Sequence, residues 1–97
     1  MKFRSVSELY EYLRVHSPRT LILSGMDSAV AGVVDVGDGL LGIVYDYDIV
    51  LEIVSKTMEI SYDDSVVYFE RSLYPLFKQH KNPLFCSVFS SQKCDTV

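Results

Sequence analysis

The sequence predicts an α+β domain: a small, mostly antiparallel sheet of about three to four strands with three helices, in the order α-β-β-β-α-α-β. Three observations carry this reading. Val6, Leu9, Tyr10 and Leu13 recur at helical spacing directly behind a Ser5–Glu8 capping box. Two β-branched runs flank Asp38-Gly39, a strong short-range hairpin signal. Ser61 stands before Asp63 and Asp64, and apolar residues then follow with helical period as far as Phe77.

Taken in order, the first helix starts after Ser5 and ends near Val15, because a residue preceding proline, here Ser17 before Pro18, avoids the αR region. Thr20 to Leu23 is short and apolar and reads as a strand. Ser24-Gly25-Met26-Asp27-Ser28 has turn chemistry. Ala29 to Val36 and Leu40 to Tyr45 are the two hairpin strands. Asp46 or Asp48 caps a second helix over Tyr47 to Lys56, with Ile49, Val50, Ile53 and Val54 as a wide apolar face. The third helix follows Ser61 and turns Val66, Phe69, Leu73, Leu76 and Phe77 inward. Pro75 must kink or end it. Leu84 to Phe89 is a last, aromatic strand, and residues 90–97 are expected to fray.

Ninety-seven residues make one domain, 1–97, that buries a little above roughly 60% of its unfolded surface. Hydrophobic residues at 48% against 23% charged exclude a disordered chain. The net charge of −4 and the scattered Lys and Arg argue against direct nucleic-acid binding, which needs a basic surface. No apolar run is long enough for a bilayer or a leader, so a cytoplasmic location away from membranes is expected. Cys86 and Cys94 are expected as thiols in that reducing compartment. Seven Tyr and five Phe exceed what so small a core hides. That excess predicts a homo-oligomer, with a two-fold dimer favoured.

Asp35, Asp38, Asp46 and Asp48 invite a comparison with metal and acid–base sites. Their spacing does not fit an EF-hand loop, and turn and cap roles explain each of them. His16 and His80 lack partners at zinc spacing. No nucleophile elbow, P-loop or dinucleotide fingerprint is present. The expectation is a protein that is not an enzyme and uses no cofactor or metal. A hydrolase built on the Asp residues is the weakest reading. The candidate interaction surface consists of Tyr45, Asp46, Tyr47, Asp48, Tyr62, Tyr68 and Tyr74, since Tyr gives large contact area at small entropic cost. The structural alternative is that these rings edge the core.

From Gly25 to Phe85 the chain resembles a group of small, uncharacterised bacteriophage accessory proteins. The matching features are Gly25, Asp27 and Ala29, then Gly32, then Val44-Tyr45-Asp46 closing the hairpin. Ile60-Ser61-Tyr62-Asp63-Asp64-Ser65, Tyr68-Phe69-Glu70 and Asn82-Pro83-Leu84-Phe85 follow. Ser65 and Ser72 depart from the Ala and Asn of that pattern, and the small Gly before the final proline is missing. The resemblance implies a phage accessory role without known chemistry. By analogy it implies binding to a host protein, such as a bacterial defence component. The alternative is a module that sequesters a small ligand or nucleotide.

Overall fold

The computed structural model describes residues 3–87 and 94–95. Helix α1 spans Val6–His16, and Ser5 Oγ accepts the Glu8 N–H at 3.2 Å as the capping box requires. The reciprocal arm lands one residue early, because Glu8 Oε1 accepts from the Arg4 N–H at 3.1 Å. Strands β1 (Val30–Gly37) and β2 (Leu40–Asp46) form the expected antiparallel hairpin. Its turn places Asp38 at φ 55° and Gly39 at φ 75°, the left-handed pair that matches strand twist. The register runs regularly from Gly32↔Val44 to Asp35↔Leu41, with a shift on either side of that stretch.

Helix α2 (Tyr47–Met58) begins where β2 ends. Helix α3 (Tyr62–Tyr68) passes through a π-helical segment, Phe69–Leu73, into α4 (Tyr74–His80). The widened turn lies just before Pro75. Proline has no N–H to return to Arg71, and its ring would strike that carbonyl in an α-helix. The chain answers with a π-turn, in which the Tyr74 N–H reaches the Phe69 carbonyl instead. Strand β3 (Leu84–Cys86) then joins β2, and β4 (Cys94–Asp95) pairs with β3, giving the sheet order β1-β2-β3-β4. The rest of the tail expected to fray lies outside the described residues, as does the end of the predicted strand beyond Ser87.

The α+β class and the mostly antiparallel sheet stand, with one refinement and one correction. The sheet is mixed: β1/β2 and β3/β4 are antiparallel, but β3 lies parallel to β2. Helices α2 to α4 form a crossover between these strands, and a crossover returns the chain in the direction it left. The correction concerns Thr20–Leu23, which is no strand. Side chains hold it in place of a backbone ladder. Asn82 Oδ1 accepts the Leu21 N–H at 2.6 Å and Tyr45 Oη accepts the Leu23 N–H at 3.0 Å. Thr20 Oγ1 donates to the Leu41 carbonyl at 2.6 Å, and Ser17 Oγ accepts the Leu41 N–H at 2.9 Å.

One core unites these elements. Leu9 and Leu13 from α1, Ile43 and Tyr45 from β2, Val50, Leu51 and Val54 from α2, Phe69 and Phe85 meet in a single buried cluster. Among the described residues, no helix is long and apolar enough to cross a membrane.

Candidate functional site

Strand β2 delivers Asp46 to the start of α2, and the local sequence Asp-Tyr-Asp decides what happens there. The Asp46 carboxylate accepts the N–H groups of Asp48 at 3.0 Å and Ile49 at 3.3 Å. It is therefore the helix cap, and it is only 6% exposed. Replacing Asp46 by Ala is expected to cost about 0.5–2 kcal/mol, whereas Asp46→Asn keeps the cap and costs little. Melting temperatures of the two variants check this. Normal stability of Asp46→Ala would overturn the capping role.

Asp48, the second residue of the helix, is half-buried. Its Oδ1 accepts from the Tyr62 hydroxyl at 3.3 Å, and its Oδ2 accepts from Ser87 Oγ at 3.3 Å. Three separate stretches thus meet at one carboxylate: the start of α2, the start of α3 and the residue after β3. Tyr62 is 44% exposed. Its phenol is held neutral, with the pKa raised first by partial burial and then by the negative charges of Asp48, Glu52 and Asp63. Ser61 Oγ caps α3 by accepting the Asp64 N–H at 3.1 Å, which leaves Asp63 and Asp64 exposed in that helix's first turn. The result is an acidic corner with an aromatic ring standing in it.

The other expected contact residues divide. Tyr47 packs edge-on against Phe69 at 5.2 Å, and Tyr74 lies at 6.1 Å from the same ring. Both are half-buried, as is Tyr68, and all three border the core. Tyr45 leaves the set of candidate contact residues, because it is fully buried. It stacks on Phe85 at 6.0 Å and gives its oxygen to Leu23. Asp46 beside it in the sequence conceals this, since β2 is buried on both faces here and the pairing with β3 sets Phe85 beside the Tyr45 ring.

The four Asp residues considered as a cluster are not brought together. Asp35 and Asp38 sit at the turn end of the hairpin, and Asp46 and Asp48 stand beyond its other end. Strand β2, seven residues and so about 20 Å long, separates the two pairs. Asp35 Oδ1 accepts the Gly37 N–H at 2.8 Å, a local turn contact.

One polar group was missed in the sequence. The Tyr10 hydroxyl donates to Asp27 Oδ1 at 2.8 Å, and the Tyr45 phenol lies alongside. Burial, followed by the bond to Asp27, raises the Tyr10 pKa, and burial likewise raises that of Tyr45. The Tyr10 phenol is thus a stable proton donor that fastens α1 to the turn before β1, while the Tyr45 oxygen accepts from Leu23. Helical spacing assigns Tyr10 to the core but says nothing of a partner seventeen residues away. No protein-family model matches this chain, and neither a curated protein nor a solved structure matches it.

Proposed function

We propose that this chain is a phage accessory protein that acts without catalysis, by binding a host protein at the acidic corner around Asp48 and Tyr62. A bacterial defence component is the kind of target this role implies. The observation that carries the reading is Tyr62. It is a large exposed ring anchored by Asp48, with Glu52 and Asp63 close enough to perturb it. An anchored aromatic loses little conformational freedom on binding, and a surrounding acidic rim steers a basic surface toward it. The resemblance of residues 25–85 to phage accessory proteins supports the biological setting.

The test is a pull-down from bacterial lysates using the wild-type chain and Tyr62→Ala side by side. A stoichiometric partner is expected with the wild type, retained at low salt and weakened as salt screens the acidic rim. Tyr62→Ala should cost at least about 2 kcal/mol of binding if the ring is the hot spot. Its fold should survive, because the ring is largely outside the core. Absence of a stoichiometric partner across several hosts, or binding indifferent to Tyr62, would count against the proposal.

A further inference from the structure

Strand β1 is an outer strand of the sheet, and its hydrogen-bonding direction follows from its neighbour. Both backbone groups of Leu41 are engaged by Ser17 and Thr20. Leu41 therefore does not bond to Asp35, its antiparallel partner in the register. In an antiparallel ladder such pairs alternate with bonded ones, so Val33↔Ile43 is of the same non-bonded kind. Asp35 and Val33 must then turn their N–H and C=O groups away from β2, to the outer edge. No described residue takes them up. The strand contains no proline and no lysine, and Asp35 is its single charge. An outer strand normally carries such residues as protection against pairing. The register shifts confine the straight part of this edge to Gly32–Asp35.

Alongside the edge runs an open cleft of about 550 Å³, formed by Phe3, Arg4, Val6 and Leu9 against Val30 to Val33. Arg4 is exposed there, and its guanidinium has no acidic partner among the described residues.

We infer that β1 pairs with β1 of a second copy of this chain about a two-fold axis through Val34, joining the two sheets into one. The chain is complementary to itself in this arrangement. An axis normal to the sheet pairs residues of the same face, and Val33 then stands opposite Asp35 of the second copy. These are the residues with outward backbone groups, so the two symmetric pairs exchange four hydrogen bonds. Val34, 39% exposed in the single chain, meets its own counterpart on the axis. Asp35 faces Val33 and not the second Asp35, so no like charges oppose each other. Since Val33 lines the cleft that holds Arg4, each Asp35 carboxylate arrives beside the Arg4 of the other copy. The charge match joins two features of the same sequence, and this selects a second copy over an unrelated strand as the occupant.

Light scattering coupled to gel filtration tests the inference on the full chain at high micromolar concentration. The expected mass is twice the 11.0 kDa of the single chain. Val34→Lys places two like charges on the axis and should give a monomer with an unchanged circular dichroism spectrum, because this side chain is exposed. Arg4→Asp and Asp35→Arg should each weaken the dimer by about tenfold. The double variant Arg4→Asp/Asp35→Arg should restore it, a rescue that general damage to the fold cannot produce. A wild-type chain of 11.0 kDa throughout overturns the inference. So does a dimer that Val34→Lys leaves intact, or a double variant no better than the single ones.

Discussion

Phe85→Ala is expected to destabilise the fold by about 3–5 kcal/mol, the usual cost of truncating a fully buried ring. Phe85 has no exposed surface. Its ring meets Phe69 edge-on at 4.8 Å, Phe77 at 5.6 Å and Tyr45 at 6.0 Å. It therefore ties β3 to β2, to the π-turn and to α4 at once. Removing it forfeits the transfer energy of the ring and leaves a cavity that three other rigid rings cannot easily close. A domain of this size has a total stability of only about 5–15 kcal/mol, so the variant should stand near the edge of folding. Urea unfolding gives the measurement, with a lower midpoint and an unchanged slope. Leu76→Ala is the contrast: helical spacing expected this side chain inward, but past the π-turn it is 54% exposed, so the change should alter stability by no more than about 0.5 kcal/mol. A Phe85→Ala loss under about 1 kcal/mol would show that the aromatic cluster is not the centre of the core.

The second large effect is expected at a polar residue. Asn82 is only 2% exposed and serves two backbone groups. Its Oδ1 accepts the Leu21 N–H at 2.6 Å, and its Nδ2 donates to the His80 carbonyl at 3.0 Å. Asn82→Ala leaves both without this partner, the Leu21 amide in a half-buried segment and the His80 carbonyl nearer solvent. A buried orphaned group costs about 1–3 kcal/mol, and the partly buried Leu21 amide carries most of that, so a loss of about 1–3 kcal/mol is expected. Gly42 lies directly beneath: a Cβ there would come within 3.3 Å of the Asn82 Cβ and of Val36. Hydrogen exchange supplies a local readout. The Leu21 amide should exchange much faster in Asn82→Ala, whereas amides of α1 should change only with global stability. An unaltered Leu21 exchange rate would mean that Asn82 does not hold this segment.

These two residues also show where the sequence stops being readable. Local chemistry determined the helix starts at Ser5, Asp46 and Ser61, because each cap acts on N–H groups two or three residues ahead. It determined the hairpin, because Asp38 and Gly39 adopt left-handed backbone conformations within the turn itself. Helical spacing placed Leu9, Leu13, Val50, Val54 and Phe69 in the core correctly, since a helix exposes its buried stripe in its own periodicity. Pro75 announced a disturbance in the third helical region, though not that a π-turn would absorb it.

Tertiary structure decided everything that depends on a distant partner. Thr20–Leu23 has the composition of a strand, but its amides found Asn82, sixty-one residues away from Leu21, and Tyr45 instead of a ladder. The parallel direction of β3 depends on how three helical segments cross the sheet, and no residue of Leu84–Cys86 encodes that by itself. Tyr45 and Tyr62 look alike in the sequence, each beside acidic neighbours. One became a core ring because β3 paired with β2 and set Phe85 opposite it. The other became the exposed ring of the candidate site because α3 carried it to Asp48. Caps, turns and periodicity act within a few residues and can be read along the chain, whereas side-chain partners separated by tens of residues are chosen only when the elements pack.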